Sequence, residues 1–308
     1  LATAAVVDAN QDSIADYVYA GDLFGNLWKF NITHTNPSNW DVAYQVSGDP
    51  APFYVARTAS GVRQPITARP TVGRGPTGTK LQVYVGTGKF LELQDRFAAN
   101  IVPATFYGLI DNNTGSNSDI ISGRSLLTQQ TITGESTVTL NGVTNMVRTT
   151  SSNPMIAPNN RGWYIDLISP ANGFEGEMAI TNPVLRNERI IFTTLIPNPD
   201  PCGFGGVSWL MILQARNGAR ADSTFDLNGD ANLTNDDRVP PPSGTENIAA
   251  SGVRSGTGIW SAPTPLTNGA NDVLIMSNTG TADQDDSNNR LVDPGPGGMG
   301  RQSWRQLR

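Results

Sequence analysis

Hydrophobic and polar positions change over at short range along this chain. Brief apolar or alternating runs end in clusters of Gly, Pro, Asn and Asp, the pattern of β-strands joined by turns. No long stripe with helical spacing interrupts it. The predicted strands fall into four groups. The first holds residues 17–20, 26–32, 40–46 and 53–58, and the second 65–72, 81–86, 105–110 and 162–167. The third holds 178–184, 189–196 and 208–215, and the fourth 258–265, 272–277 and the tail around Trp304.

The groups share a signature in which a segment ending in Pro precedes an apolar strand. It occurs as T-A-R-P-T-V before L-Q-V-Y-V-G-T-G, as I-T-N-P-V-L before R-I-I-F-T-T-L, and as W-S-A-P-T-P-L before D-V-L-I-M-S-N-T-G. Recurrence at tens of residues is what stacked β-units such as propeller blades produce. Turns such as G-D-L-F-G-N-L-W join neighbouring strands closely enough for hairpins. The expected fold is therefore all-β and propeller-type, a single region over residues 1–308 with about four blades, and part of a larger ring because four close few propellers. Residues 111–160, rich in Asn, Ser and Thr, read as a polar insertion and a flexible excursion. Within it, T-I-T-G-E-S-T-V-T-L-N-G-V-T has the alternative of forming a hairpin of its own.

Composition supports this reading. The chain has 308 residues with 32 Gly and 21 Pro and only 16% charged residues, which suits many short strands better than helices with charged faces. A net charge of -6 excludes a nucleic-acid backbone as the expected partner, since phosphates need clustered Lys and Arg. The single cysteine, Cys202, rules out an internal disulfide framework. No run of about 20 apolar residues could span a bilayer. The sequence opens at Leu1, already strand-like, and reads as a piece of a longer protein whose targeting signal and preceding domains lie elsewhere.

Carboxylates gather instead in two loops. In V-D-A-N-Q-D-S-I-A-D, Asp8, Asn10, Asp12 and Asp16 occupy positions 1, 3, 5 and 9, with the carbonyl of Ile14 at position 7. Oxygen donors at that spacing can converge on one hard cation, and the pattern reads as calcium. Ser13 stands where EF-hand loops place Gly, and Tyr19 at position 12 supplies no carboxylate, so this is a shortened loop. The second loop follows the twelve-residue spacing more fully: Asp226, Asn228, Asp230, the carbonyl of Asn232, Thr234 and Asp237, with Asp236 as a substitute for Asp237 and Ala231 in the Gly position. The competing readings are a solvated Asx-rich turn and an acidic inter-blade loop.

The other candidates have bland readings. His34, the only histidine, lies in a turn and assembles no triad or zinc cluster. Trp28, Trp163, Trp209 and Trp260 fall about one to each strand group and read as packing anchors, with carbohydrate stacking as the alternative. Arg220-Ala-Asp222 resembles an integrin-binding tripeptide too short to carry weight, and the Gly runs at 203 and 295 lack the Lys and Ser/Thr of a phosphate loop.

The order of motifs resembles the C-terminal β-propeller of the PilY/PilC family of type IV pilus tip adhesins and biogenesis factors. It is carried by V-D-A-N-Q-D-S-I-A-D-Y-V-Y-A-G-D-L-F-G-N-L-W-K-F-N from Val7 and V-Y-V-G-T-G-K-F-L from Val83. Further on come P-C-G-F-G-G-V-S-W-L-M-I-L from Pro201, F-D-L-N-G-D from Phe225 and G-R-Q-S-W-R-Q-L-R at the end. The resemblance implies a non-enzymatic surface protein at the pilus tip that binds Ca2+ through Asp8, Asn10, Asp12, Ile14 and Asp16. It also implies work with minor pilins in adhesion and twitching motility, calcium-linked control of pilus extension against retraction, and further N-terminal domains. Two rivals stand beside it. One is a quinone-dependent dehydrogenase, whose propellers carry a motif similar to G-D-L-F-G-N-L-W-K-F, and the other is a purely structural cell-surface component.

Overall fold

Each predicted group becomes a sheet. The computed structural model describes residues 1–156, 159–200, 202–256, 258–268, 271–280 and 289–293, and among these there are strands and short 3-10 turns but no α-helix. In the first sheet β1 (Ala5–Val7), β2 (Tyr17–Gly21), β3 (Asn26–Asn31) and β4 (Asp41–Val42) lie in that order. A ribbon of β5 (Gln45–Val46) and β6 (Asp49–Pro50) follows, and β7 (Tyr54–Val55) returns to pair with β3. The second sheet has the order β11 (Thr128–Gln130), β14 (Gly162–Asp166), β10 (Thr105–Asp111), β9 (Leu81–Gly86) and β8 (Thr71–Arg74).

The third sheet has the order β12 (Ile132–Leu140), β13 (Val143–Thr150), β20 (Gly252–Arg254), β19 (Trp209–Gln214), β16 (Arg189–Thr193) and β15 (Val184–Arg186). A ribbon of β17 (Ile196–Pro197) and β18 (Gly206–Val207) stands apart, and β21 (Thr264–Asn268), β22 (Asn271–Ile275) and β23 (Asn289–Val292) make the fourth sheet. The predicted strand around Trp304, the glycine run at 295 and Pro201 lie outside the described residues.

The Pro-then-strand signature marks one topological position. Pro70, Pro183 and Pro263 immediately precede β8, β15 and β21, each an edge strand paired with the next apolar strand. Proline has no N–H to give a ladder, so a strand start at a sheet edge is where it fits. These edge strands gather. β8 lies against both β1 and β15, Thr71 donates its hydroxyl to the Pro183 carbonyl at 2.5 Å, and Arg186 of β15 pairs with Asp272 of β22. Four sheets radiating from adjoining edge strands give a propeller-type arrangement that does not close on itself.

Period-two geometry explains the order of packing. On β9 and β10, Leu81, Val83, Val85, Tyr107 and Leu109 pack with Val7, Tyr19 and Leu27 of the first sheet. Tyr84 and Phe106, on the opposite face, join Phe192, Trp209 and Met211 of the third, where the Phe106 and Phe192 rings stack 3.9 Å apart. Ile191, Leu210 and Ile212 then face Leu274 and Val292 of the fourth. Strands covered on both faces read as continuous apolar runs, as L-Q-V-Y-V-G and W-L-M-I-L-Q do.

Residues 111–160 correct the expectation of a flexible excursion, and the hairpin alternative holds. β12 and β13 pair across an Asn141-Gly142 turn with φ of 49° and 81°, and β13 continues onto β20 as part of the third sheet. Its polar look misleads because Thr suits a pleated strand. Inside it, the guanidinium of Arg148, fully buried, pairs with Glu135 at 2.7 Å and Glu177 at 2.8 Å and lies over the Trp209 ring.

Candidate metal-binding loops

The first acidic loop joins β1 to β2 and is wound by its own side chains. Asp8 accepts the N–H of Gln11 at 2.6 Å on one oxygen and of Ser13 at 2.9 Å on the other. The Asn10 side-chain oxygen accepts from Asp12 N–H at 2.9 Å, and Asp12 accepts from Ile14 N–H at 2.8 Å. Asp16, almost buried beside β2, reaches back to accept from Ala9 at 2.7 Å and Asn10 at 3.2 Å. These are successive Asx turns, in which a short acceptor side chain replaces a backbone partner.

The second loop, between β19 and β20, repeats the frame residue for residue. Asp226 accepts from Gly229 at 2.7 Å and Ala231 at 3.0 Å. Asn228 accepts from Asp230 at 3.0 Å, and Asp230 from Asn232 at 2.7 Å. The left-handed positions coincide as well: Gln11 and Ser13 have φ of 68° and 72°, Gly229 and Ala231 of 76° and 63°. Ser13 and Ala231 therefore adopt the conformation for which calcium loops use glycine, at the cost that a Cβ brings to it.

The loops close differently. Asp16 follows the frame directly, whereas Asp237 ends the 3-10 turn Asn235–Asp237, whose capping box includes Thr234. One Asp237 oxygen accepts from Leu227 at 2.9 Å and Asn228 at 3.3 Å, and the other from Thr234 N–H at 2.9 Å. Asp237 is thus the residue that folds back, and Asp236 is exposed. Thr234 directs its hydroxyl oxygen at Asp236 N–H, 3.2 Å away.

The donor set of each loop is all oxygen from Asp, Asn and backbone carbonyls, the chemistry that suits a hard cation. The backbone frame fits a calcium loop. The carboxylates, however, are turned onto loop N–H groups, and among the described residues no three His, Cys, Asp or Glu side chains form a group that could hold a metal. Cation binding at either loop would require those side chains to turn inward.

A further aspartate, not singled out in the sequence, explains the G-D-L-F-G-N-L-W turn. Asp22 accepts from the Trp28 indole at 2.9 Å, the Asn26 amide at 2.8 Å, Asn26 N–H at 2.9 Å and Phe24 N–H at 2.9 Å. Burial pushes its pKa up, but these hydrogen bonds outweigh burial and hold it below the ordinary aspartate range. Gly25 at φ 77° completes the turn, where a Cβ would meet the Gln64 carbonyl at 2.6 Å. The motif locks a turn, and its Asp-x-x-x-Asn-x-Trp spacing is the signal that could have revealed it.

Lys29 was also missed, although alternation along L-W-K-F places it inward. It pairs with buried Asp111 of the second sheet at 2.8 Å and lies 4.0 Å over the Tyr17 ring. Tyr19 donates to the same carboxylate, and burial followed by that charge pushes its pKa well up.

The bland readings stand for most other candidates. Trp163, Trp209 and Trp260 are buried, while Trp28 is half-buried on the first sheet. His34 is exposed and accepts from Asn36 N–H at 3.0 Å. Cys202 is exposed, and Arg220 is tied to the Thr150 carbonyl at 2.9 Å beside buried Ala221. Among the described residues no helix is long and apolar enough to cross a membrane.

Comparison with known proteins agrees with this architecture. The family described as PilY1 beta-propeller domain matches residues 1–145. The type IV pilus biogenesis factor PilY1 of Pseudomonas aeruginosa PAO1 is 32% identical over 334 residues, covering 100% of this chain and 27% of its own length. The chain belongs to the PilY1 β-propeller family. A PilY1 homologue of Xylella fastidiosa Temecula1 is 35% identical over 223 residues, covering 72% of this chain and 14% of its own. The crystal structure of the P. aeruginosa PilY1 C-terminal domain matches with a TM-score of 0.78 and 26% identity, over 95% of this chain and 60% of that one. The chain thus spans about a quarter or less of the curated relatives' length.

Proposed function

We propose that residues 1–308 act as one propeller region of a type IV pilus biogenesis factor, without enzymatic chemistry, at the bacterial surface and pilus tip. Similarity over the whole of this chain to proteins named type IV pilus biogenesis factors carries this reading. In this reading the region is joined to further domains of its own polypeptide, meets minor pilins, and supports attachment, twitching and the control of extension against retraction. No observation favours the quinone enzyme, since the turn motif that resembled one is accounted for by Asp22, Asn26 and Trp28.

Calcium belongs to the same proposal. Asp8, Asn10, Asp12, Asp16 and the Ile14 carbonyl would hold one ion, and Asp226, Asn228, Asp230, Asp237 and the Asn232 carbonyl, with Thr234 directly or through water, a second. A bound cation supplies the positive charge that lets several carboxylates share a short loop, and binding only to the ordered form stabilises it. The shared frame of the two loops supports this assignment. The test is piliation and twitching in a strain carrying the full-length protein with Asp16→Ala, alongside isothermal titration of the purified protein with calcium. Loss of one calcium equivalent with impaired pili is expected. Unchanged pili in a deletion strain would end the pilus reading, and a flat wild-type titration would end the calcium reading alone. A pilus pull-down separates a tip component from a cell-wall protein.

A further inference from the structure

A cleft of about 590 Å³ lies between the first and second sheets, a volume within the range of small-molecule sites. One wall is A-P-F-Y-V-A-R at 51–57, which contains β7, and the other is I-I-S-G-R at 120–124, which leads towards β11. Both are apolar runs that end in arginine. They lie parallel, for Tyr54 is bridged to Ile121, whose N–H donates to the Phe53 carbonyl at 2.9 Å. Arg57 and Arg124 each stand three residues beyond that bridge, so the register brings both arginines to one end. The Tyr107 hydroxyl joins them there, 3.0 Å from the Arg57 carbonyl and accepting from Arg124 at 3.1 Å.

The two ends differ in chemistry. Val46, Ala51, Pro52 and Ile120 line the apolar end, where Val46 is 54% exposed. At the other end Arg124 lies 4.4 Å over the Tyr164 ring and is neutralised by Asp166 at 2.7 Å. Exposed Arg57 donates to the Gly61 carbonyl at 2.8 Å and pairs with no carboxylate among the described residues. No Asp or Glu lines the cleft, although the chain carries a net charge of -6. The walls are also tied together before anything binds, since the Asn117 side chain exchanges hydrogen bonds with the Gln45 backbone on β5.

We propose that this cleft binds a small amphipathic carboxylate, with its acid group at Arg57 and its apolar body along β7 and residues 120–121. Charge complementarity selects the anion, because a guanidinium without an acidic partner presents a fork that matches a carboxylate. The apolar end selects the body, because an alkyl or aryl group there removes Val46 and its neighbours from water. Arg124 acts as a positioning residue, for its bonds to Asp166, Thr105 and Tyr107 fix the second wall against the second sheet. A preformed cleft loses little on ordering, which favours a ligand of few atoms. The inference rests on the contact between the first two sheets and on neither calcium nor the pilus role.

Isothermal titration of the full-length protein with sodium octanoate tests it, with butyrate and 1-octanol as comparators. Octanoate should bind saturably with a dissociation constant of about 0.1–1 mM, and each comparator at least about fivefold more weakly. Two variants locate the site. Arg57→Gln removes the free cation while keeping the backbone carbonyl beside Tyr107, and Val46→Asp places a carboxylate at the exposed apolar end. Each should weaken octanoate at least about fivefold with an unchanged melting temperature, and Arg57→Lys should restore most of the affinity. Absence of saturable octanoate binding would overturn the proposal. Affinity equal to octanoate for 1-octanol would remove the role of Arg57, and equal affinity for butyrate that of the apolar wall. Wild-type affinity in both Arg57→Gln and Val46→Asp would place binding elsewhere and end the assignment.

Discussion

The two acidic loops share one seven-position frame and are held to the protein in different ways. The second is anchored into the core: Leu227 is buried, its carbonyl accepts from Asn145 of β13 at 3.0 Å, and Asp237 takes three N–H donors inside a capped turn. The first hangs from Val7 and Asp16, with Ile14 67% exposed at its tip. One donor pattern can therefore serve a preformed loop and one that ordering must complete, and the closing aspartate sets the difference.

Removing the closing carboxylates should give the largest effects. Without calcium, Asp237→Ala is expected to cost about 2–4 kcal/mol, because it strands three N–H groups at a nearly buried site, and Asp16→Ala about 1–3 kcal/mol, because it strands two beside water. Urea unfolding of the two variants in chelator decides it. Equal losses would show that the cap around Thr234 and Asp237 adds nothing to the frame.

Calcium should act in the opposite order. An extracellular-type loop with a dissociation constant of about 0.1–1 mM gains about 0.4–1.4 kcal/mol at millimolar calcium. Hydrogen exchange should slow over residues 8–16 on adding calcium and change little over 226–237, which its anchors already hold. Equal slowing in both loops would refute the distinction between a preformed and an orderable site.

The frame of both loops was legible in the sequence because Asx spacing writes it directly. The closing geometry was not, since choosing Asp237 over Asp236 depends on a 3-10 turn whose cap forms only when Thr234 and Asp237 meet. The same division runs through the fold. Apolar runs and the recurrent Pro before β8, β15 and β21 disclosed the blades, because edge strands and two-sided burial leave local marks. The third sheet's hairpin was obscured, because Arg148 and Glu135 look like surface residues until the hairpin sets them opposite each other and Glu177, outside it, joins them in the interior.

Relieving the left-handed residues should give a smaller effect. Ser13→Gly and Ala231→Gly each remove a Cβ from a positive-φ position, and the gain is offset in part by the greater freedom of glycine when unfolded. A stabilisation of about 0–1 kcal/mol in each, with unchanged calcium stoichiometry, is expected. Destabilisation of the Ser13 variant alone would mean that its hydroxyl contributes to the first loop beyond backbone shape.

The turn around Asp22 supplies the control, an acidic turn held by an indole and an amide with no metal invoked. Because the folded state holds this carboxyl below its unfolded value, its contribution is complete above the ordinary aspartate pKa of about 3.9 and is lost as pH falls through that value toward the folded one. Between about pH 5 and pH 3 the native protein should therefore lose more stability than Asp22→Asn, whose side chain does not ionise. The slope should be the same with and without calcium. A calcium-dependent slope would tie this turn to the first loop, which adjoins it across β2, and would end its use as a purely structural reference.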